Sequence, residues 1–327
     1  MSVLVVGGAG YIGAHVVRLL RESGEQVVVI DDLSSSNTER VGDATLVQLD
    51  ISTDSATDEI ARAIREFDVQ SVIHFAAKKQ VGESVQRPLY YYRQNIGGLV
   101  NVLDAMQQTG VKKMIFSSSA AVYGEPEEEI VLEDSRTAPI NPYGRTKLIG
   151  EWILADCERA WGLQWVALRY FNVAGAGWAD LGDSAIMNLI PMVLDRLTNG
   201  EAPRVFGTDY PTPDGTCIRD YVHVKDLAAA HILAINALSD DMAHHVFNVG
   251  TGSGSSVKEV IDAVGQASGL DATPVIEGRR AGDPPKLIAN ADRIRETLGF
   301  ESELGLQDIV ESAWEAWQFG PRRIDVQ

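Results

Sequence analysis

The sequence predicts an α/β protein built on a doubly wound parallel sheet, with a smaller, mixed α/β domain in its C-terminal half. Three observations predict this fold class. Between residues 3 and 170, short apolar runs alternate with segments whose apolar residues recur at helical spacing. A glycine-rich turn joins the first apolar run to the first helical segment. The alternation ends after Asn172, where glycine, alanine and turn-forming residues become frequent.

The first strand, turn and helix predict a dinucleotide site. Residues 3–6 are continuously apolar, as in a strand that is buried on both faces. Gly7, Gly10 and Gly13 follow and let the backbone approach a pyrophosphate, which the helix N-terminus attracts. The next strand, over residues 27–30, ends on Asp31, whose carboxylate can accept ribose hydrogen bonds and repels a 2′-phosphate. The pattern therefore predicts NAD, and not NADP, as the cofactor.

The strand–helix alternation then continues. Further strands are predicted over residues 45–49, 71–75, 113–116 and 165–170, and helices around 60–67, 99–109 and 142–161. Ser117, Ser118 and Ser119 directly follow the strand over 113–116. Ligands of open parallel sheets bind at the carboxyl ends of strands, so these serines are candidates for the site.

A tyrosine and a lysine begin the helix over 142–161. Asn141 is a favourable N-cap, and Pro142 occupies the first helical position. Tyr143 and Lys147 are four residues apart and so share one face of the helix. A phenol has a pKa of about 10, and a nearby cation lowers that pKa. Each unit of lowering corresponds to an interaction of about 1.4 kcal/mol. The spacing therefore predicts that Lys147 makes Tyr143 a base.

The C-terminal half predicts a second domain that binds substrate. Residues 206–215 form a turn-rich loop, and Arg219 leads to a predicted helix over 224–238 and a strand over 246–249 that could return to the main sheet. We expect a cofactor domain over residues 1–172 with a returning segment near 218–250. The substrate domain would then comprise residues 173–217 and 251–327.

Composition excludes several classes of function. The 327-residue chain carries a formal charge of −18, which disfavours binding to nucleic acid or to an anionic membrane. Cys157 and Cys217 lack metal-ligand spacing and predict reduced thiols in the cytoplasm. His15, His74 and His223 each lack a second ligand at a suitable spacing, so we expect structural histidines and no metal.

Taken together, these features resemble the extended short-chain dehydrogenase/reductases, whose fold is Rossmann-type, and within them the UDP-galactose 4-epimerase family. The family-level motifs are residues 7–13 and the pair Tyr143/Lys147. The more specific motifs are residues 81–85, 117–124, 169–172, 209–212, 214–216 and 219–221. The resemblance spans essentially the whole chain.

The resemblance implies a set of site residues. Tyr143, Lys147 and Ser119 are implied to be catalytic. Besides the three glycines, Tyr143 and Lys147, the implied NAD contacts are Tyr11, Ile12, Asp31, Ser35, Ser36, Asp50, Ile51, Phe75, Ala76, Lys79, Asn95 and Tyr170. The implied UDP-sugar contacts are Ser119, Tyr143, Phe171, Asn172, Asn188, Leu189, Phe206, Arg219, Tyr221, Arg280 and Asp283.

The resemblance also implies the reaction: UDP-galactose and UDP-glucose interconvert through transient oxidation at C4 to a 4-keto sugar, with Tyr143 as base. Arg219 and Arg280 suit a diphosphate, because a guanidinium matches phosphate oxygens in a bidentate way. The alternatives for these residues are ordinary: Arg219 could pair with Asp220, and Phe206 could be a core residue.

Several rival functions stay open at this point. A nucleotide-sugar 4,6-dehydratase is disfavoured, because Ala120 and Ala121 stand where that chemistry requires two carboxylic acids. A 4-epimerase or decarboxylase acting on UDP-glucuronate or UDP-N-acetylglucosamine is harder to exclude. A non-enzymatic NAD(H) sensor is disfavoured by the joint presence of Ser119, Tyr143 and Lys147. The resemblance further implies a homodimer that pairs the helices near 90–109 and 143–161.

Overall fold

In a computed structural model, the chain is described over residues 1–239, 242–280 and 283–319, and these residues form two compact units. The first unit contains residues 1–124, 137–169 and 228–247. The second contains residues 125–136, 170–227 and the described residues from 248 onward.

The elements alternate as expected through the first half of the chain. The strands are β1 (Ser2–Val6), β2 (Gln26–Asp31), β3 (Thr45–Gln48), β4 (Ser71–His74), β5 (Lys113–Ser119), β6 (Ile130–Val131), β7 (Gln164–Tyr170), β8 (Asn172–Ala174), β9 (Arg204–Phe206), β10 (Ile218–Arg219), β11 (Tyr221–His223), β12 (Val246–Val249), β13 (Ser255–Ser256), β14 (Val275–Glu277) and β15 (Lys286–Ala289). The helices are α1 (Tyr11–Glu22), α2 (Ala56–Glu66), α3 (Val81–Gln86), α4 (Pro88–Tyr91), α5 (Gly98–Thr109), α6 (Pro142–Trp161), α7 (Leu189–Thr198), α8 (Val224–Ala237), α9 (Val257–Ser268), α10 (Asp292–Leu298) and α11 (Leu306–Phe319).

The first unit is organised around a sheet whose order, among the described residues, is β12-β7-β5-β4-β1-β2-β3. Neighbouring strands pair in parallel from β5 through β4, β1 and β2 to β3. All residues of β1 are buried, as their continuous apolar run predicts. The strand order reverses between β1 and β4, and such a switch point is where open α/β sheets bind ligands at their carboxyl ends. The predicted fold class is confirmed.

Helix α6 packs closely on β5 because two glycines allow it. A Cβ on Gly144 would lie 2.5 Å from the carbonyl oxygen of Ala121, and one on Gly150 would lie 2.5 Å from the Phe116 ring. The helix begins with Asn141, whose side-chain oxygen accepts a hydrogen bond from Gly144 N at 2.9 Å. This close packing brings the Tyr143/Lys147 face of α6 to the end of β5.

The second unit is assembled from segments that are distant in sequence. Its sheets are short: β13-β10-β15-β6, β11-β8 and β14-β9 among the described residues. A separate apolar core joins helices α7, α9 and α11 and includes Ile190, Leu194, Ile261 and Ile309. Because few of these strands exceed three residues, their pairing depends on this core more than on local sequence signals.

Some boundaries differ from the expectation. Strand β5 continues through the serines to Ser119 instead of ending at residue 116. Strand β12 does join the main sheet, next to β7. Residues 125–136 and 218–227, expected in the cofactor domain, group with the second unit. Residues 240–241, 281–282 and 320–327 of the expected domains lie outside the described residues.

Candidate active site

The glycine turn after β1 forms a cradle that a side chain would fill. Gly7 has a φ of +80°, and a Cβ there would lie 2.6 Å from Ala76 N, in the turn that follows β4. A Cβ on Gly13 would collide with the carbonyl oxygen of Gly7. Gly10 precedes the first turn of α1, with no side chain capping the helix N-terminus. The close backbone packing of this turn and the N-terminus of α1 that follows it suit a pyrophosphate, so the residues fit a dinucleotide.

Asp31 ends β2 beside this turn and is held by hydrogen bonds. Its carboxylate accepts from Ala9 N at 2.9 Å, from Leu33 N at 2.9 Å and from the Ser36 hydroxyl at 3.0 Å. Three donors fix the orientation of the carboxylate and leave acceptor capacity for a ribose. Ser36, an implied NAD contact, is buried and its hydroxyl donates to Asp31, whereas Ser35 is exposed.

Asn95 lies in a π-helical segment, Tyr92–Gly97, that interrupts the run from α4 into α5. Single π-turns occur frequently at functional sites. The buried Asn95 side chain accepts from Lys78 N at 2.8 Å and donates to the Thr146 hydroxyl at 2.9 Å. It thereby joins the turn after β4 to helix α6, one residue before Lys147.

Lys78, and not the implied Lys79, faces the loop after β2. The Lys78 amine donates to the Ser34 hydroxyl at 2.9 Å and lies 3.6 Å from Asp32. Lys79 is exposed. Two adjacent lysines give the same signal in sequence, so only the course of the turn after β4 distinguishes them.

The remaining implied cofactor residues lie around the carboxyl ends of the same strands. Asp50 and buried Ile51 follow β3, and the Asp50 carboxylate accepts from Ser52 N at 2.9 Å. Burial opposes ionisation of Asp50, but the hydrogen bonds from Ser52 lower its pKa below the ordinary value. Phe75 and Ala76 follow β4, and the Phe75 ring packs against His231 at 4.8 Å between centroids.

The structure brings Ser119, Tyr143 and Lys147 together. The Lys147 amine is 5.9 Å from the centre of the Tyr143 ring and donates to the Ser117 carbonyl oxygen at 2.7 Å. The Ser119 side chain is hydrogen-bonded to Tyr143. Lys147 is 3% exposed. The arrangement aligns a hydroxyl, a phenol and an amine that can exchange a proton.

The pKa directions differ from the expectation. Burial raises the pKa of Tyr143 above its ordinary value, and the hydrogen bond from Ser119 lowers it only in part. Burial lowers the pKa of Lys147 to about 7, and the negative charge of Glu151 opposes that change. The expected lowering of the Tyr143 pKa by Lys147 is therefore wrong for the chain by itself. The Lys147 amine bonds the Ser117 carbonyl oxygen, and burial favours the neutral form of that amine.

A buried polar network that the sequence analysis did not single out lies beneath these residues. Arg169 donates to both carboxylate oxygens of Glu151, at 2.9 and 2.6 Å, and to the Tyr123 hydroxyl at 2.9 Å. The Ser118 hydroxyl donates to Glu151 at 2.5 Å. The position of Glu151 in the sequence could have indicated this network. Glu151 is four residues after Lys147, and a charged residue on a buried helix face requires a partner.

In the second unit, Arg219 is bound by Asp283 and not by Asp220. Its guanidinium donates to the Pro284 carbonyl oxygen at 2.8 Å and lies 3.4 Å from the Asp283 carboxylate. Asp220 is buried and accepts from Thr251 N at 2.8 Å, Gly252 N at 3.0 Å and Ala289 N at 3.2 Å. Burial raises the Asp220 pKa, and these hydrogen bonds oppose the increase. The ordinary alternative of an Arg219–Asp220 pair is wrong.

Phe206 is half-buried and carries a cation on its face. The Arg280 guanidinium lies 3.8 Å from the centre of the Phe206 ring. The neighbouring residues Ala281 and Gly282 lie outside the described residues. Arg280 itself is exposed, so the stacked pair offers a flat aromatic face and a cation together.

The other implied substrate residues are divided among the elements of the second unit. Phe171 and Tyr221 are buried, and the Tyr221 hydroxyl is hydrogen-bonded to Asn172, while burial raises its pKa to about 12. Asn188 stands at the N-cap position of α7 but donates its amide to Asp183 at 2.8 Å instead of capping the helix, and Leu189 begins that helix. Tyr170, an implied NAD contact, is the last residue of β7 and is also assigned to the second unit.

The three histidines have protein contacts. His15 bonds the Tyr11 carbonyl oxygen at 2.8 Å, and His223 lies 3.0 Å from the Ser312 hydroxyl. His74 stacks on Phe116, and burial lowers its pKa to about 3. Over the described ranges, no group of three or more His, Cys, Asp or Glu side chains could hold a metal ion. Within the same ranges, no helix combines the length and apolar character needed to cross a bilayer.

Known proteins are similar to this chain over most of its length. Residues 3–250 match the NAD dependent epimerase/dehydratase family. The UDP-glucose 4-epimerase of Halalkalibacterium halodurans is 46% identical over 319 residues, which cover 96% of this chain and 95% of that protein.

Two solved structures are also similar. The UDP-glucose 4-epimerase of Brucella ovis in complex with NAD superposes with a TM-score of 0.92 and 43% identity, covering 98% of each chain. That of Bifidobacterium longum, in complex with NAD⁺ and UDP, superposes with a TM-score of 0.90 and 37% identity, covering 99% of this chain and all of the other.

Proposed function

We propose that this chain, which belongs to the NAD dependent epimerase/dehydratase family, interconverts UDP-galactose and UDP-glucose by transient oxidation of the sugar at C4. The observation that carries the proposal is the buried alignment of Ser119, Tyr143 and Lys147 within the unit that holds the glycine cradle. C4 carries an alcohol and no acidic C–H, so inverting it requires a transient ketone.

NAD is the cofactor, and when bound it would supply reversible hydride transfer at C4. The chain offers it the cradle of Gly7, Gly10 and Gly13 for the pyrophosphate and the oriented Asp31 carboxylate for the adenosine ribose. The Asp31 carboxylate disfavours a 2′-phosphate, which explains a preference for NAD.

Tyr143 is the residue that transfers the proton. Its phenol oxygen takes the proton of the 4-hydroxyl and later returns it, while Ser119, already hydrogen-bonded to Tyr143, holds the 4-oxygen. Since burial raises the pKa of Tyr143, the phenolate requires positive charge nearby, and Lys147 is placed one helical turn away to provide it.

The second unit supplies the residues that hold the nucleotide. Arg219 and Arg280 are the cations for the diphosphate, and Asp283 can accept from ribose hydroxyls. The Phe206 face suits a pyrimidine ring, because a flat aromatic side chain stacks on a base. The reaction requires the nucleotide to be bound firmly and the hexose loosely, because the keto sugar must turn over.

The decisive experiment is conversion of UDP-galactose to UDP-glucose by the purified protein, measured with a coupled UDP-glucose dehydrogenase assay. We expect turnover without added metal. Parallel assays with UDP-N-acetylgalactosamine and UDP-glucuronate define the sugar preference. A protein that binds NAD and converts none of these sugars would be a sensor, and the proposal would be wrong.

We propose further that the chain acts as a cytoplasmic homodimer through helices α5 and α6. These helices expose Val100, which is 39% accessible, and Trp152, which is 59% accessible. Exposed large apolar side chains on two adjacent helices are typical of an interface. Light scattering should give twice the chain mass, and Trp152→Glu should give the monomer mass. A monomeric wild type would contradict the dimer.

Both cysteines are free thiols, and a reducing compartment such as the cytoplasm favours free thiols.

A further inference from the structure

The three serines at the end of β5 form a ladder to one face of α6. The Ser117 carbonyl oxygen accepts from the Lys147 amine at 2.7 Å, and the Ser119 side chain bonds Tyr143. Between them, the Ser118 hydroxyl donates to Glu151 at 2.5 Å. Residues 143, 147 and 151 are spaced by one helical turn each, so the three serines contact three neighbouring turns on one face of α6, although not in the order of the serines. Two of these contacts belong to the catalytic group, and the third does not.

The third contact is anchored by a buried ion pair. Glu151 is 4% exposed and Arg169, from β7, is 5% exposed. Arg169 holds both carboxylate oxygens of Glu151 and, with its remaining nitrogen, the Tyr123 hydroxyl. A buried pair of this kind is weak evidence for stability, since apolar residues of similar volume serve as well or better. A role beyond stability is therefore worth examining.

The charges around Lys147 suggest that role. His74, from β4, has a pKa lowered to about 3 and is neutral at physiological pH. Tyr143, on α6, is a neutral phenol until it reacts. Glu151 supplies the negative charge that acts on the Lys147 amine, and it raises the pKa that burial lowers. Arg169 faces Glu151 from the other side and orients its carboxylate.

We propose that Glu151 is a positioning residue for the epimerisation reaction. Through Ser118 it fixes the strand end that carries the contacts to Lys147 and Tyr143, and its negative charge, one helical turn away, favours the protonated form of the Lys147 amine. This inference rests on the proposed function, in which Tyr143 needs a neighbouring ammonium to reach its phenolate.

The test is Glu151→Gln in the NAD-loaded enzyme, with Glu158→Gln as the matched control. Glu158 is on the same helix, two turns further on, and bonds the Trp165 ring nitrogen at 2.9 Å. Loss of the Glu151 charge lowers the pKa of Lys147, so the ammonium is lost at lower pH. We expect the alkaline limb of the kcat profile to shift down by about one pH unit. The KM should stay within roughly twofold, because uniform binding of the substrate is untouched. Glu158→Gln should keep the wild-type profile.

A second readout does not depend on turnover. Titration of ¹³Cε-labelled lysine by NMR follows the Lys147 resonance, which is assigned by its loss in Lys147→Arg. We expect Glu151→Gln, and not Glu158→Gln, to titrate at lower pH than the wild type. An inactive wild type would overturn the proposed function, while this titration would still decide whether Glu151 acts on Lys147.

Removing one partner of a buried pair can also destabilise the fold. Glu151→Gln combined with Arg169→Gln removes both charges together and avoids an unpaired buried guanidinium. The double variant should keep the downward shift of Lys147, since Glu151 is the charged group that raises its pKa. If Lys147 titrates as in the wild type in the folded double variant, Glu151 is a structural residue only and the proposal is wrong.

Discussion

The two units hold their functional side chains in opposite ways. In the first unit, Lys147 is 3% exposed and its amine is bound by a backbone carbonyl oxygen within a buried network. In the second unit, Arg280 is exposed and rests on the ring of Phe206, and Arg219 is bound to Asp283 at the edge of a two-residue strand. The first unit is therefore preorganised by its own core, while the second offers cations whose present partners a ligand can replace.

This difference separates chemistry from binding. Preorganised groups act on the transition state, so changes to them should reduce kcat. Exposed cations that exchange an internal carboxylate or ring for a phosphate contribute to ground-state binding, so changes to them should raise KM. The following predictions test that separation, and they begin with the largest expected effect.

Tyr143→Phe should reduce kcat by about 10³-fold, because general acid–base catalysis by one side chain contributes roughly 10²–10⁴-fold. NAD should remain bound, since the phenol is a small part of the implied cofactor site. Turnover of UDP-galactose and the absorbance of bound nucleotide after denaturation provide the two measurements. Tyr90→Phe, which keeps the ring beneath Arg87, is the control and should retain full activity. Wild-type turnover in Tyr143→Phe would end the assignment of the base.

Arg219→Gln should raise the KM for UDP-galactose by about 10–100-fold, as expected for loss of a charged hydrogen bond to phosphate. The kcat should change little, in contrast with Tyr143→Phe. Arg204→Gln provides the control, because Arg204 is an exposed arginine of the same unit, 3.6 Å from Glu277. If kcat falls with KM unchanged, the separation between the two units is wrong.

Asp31→Asn should weaken NAD binding by about tenfold and reduce the preference for NAD over NADP. The amide keeps the size of the side chain but loses the charge that repels a 2′-phosphate. Fluorescence titration with each nucleotide measures both effects. Asp58→Asn, on the exposed face of α2, should bind as the wild type does. Equal affinities for NAD in wild type and Asp31→Asn would remove Asp31 from the site.

The last prediction is of a different kind, because it concerns the pH dependence of stability and not a kinetic or binding constant. The pKa of Lys147 is about 7 in the folded chain against 10.5 ordinarily, so the unfolded chain binds more protons between these values. The free energy of unfolding of the wild type should therefore increase relative to Lys147→Met as the pH increases from 7 toward 10. Urea denaturation at several pH values measures the difference. Parallel curves for the two proteins would mean that the Lys147 pKa is not lowered.

Much of the first unit could be predicted from the sequence. Gly7, Asp31 and Tyr143 each belong to a local pattern: a turn, a strand end and a helix start. Such patterns depend on backbone sterics and helix geometry within a few residues, and the helix over 142–161 matches α6. Local patterns do not report burial, however. The direction of the Tyr143 pKa was wrong for this reason, because desolvation depends on what packs around the phenol.

The second unit was less predictable. Its short strands pair residues far apart in sequence, such as Ile218 with Lys286, and the resemblance alone indicated which arginines belong to the site. The partner of Arg219 could not be read from its neighbour Asp220, because Asp220 lies between β10 and β11 and accepts hydrogen bonds from residues 251, 252 and 289. Which side chain a guanidinium contacts depends on how these segments assemble.

By itself, the sequence determined the order of strands and helices in the first unit, the glycine turn after β1 and the spacing of Tyr143 and Lys147, since these depend on backbone geometry over one or two turns. Only the tertiary structure decided which residues were buried together. Glu151 pairs with Arg169, and Lys78, not Lys79, contacts the loop after β2. The three serines contact three neighbouring turns of α6. These outcomes depend on desolvation and on pairing between distant segments, and neither is encoded in local periodicity.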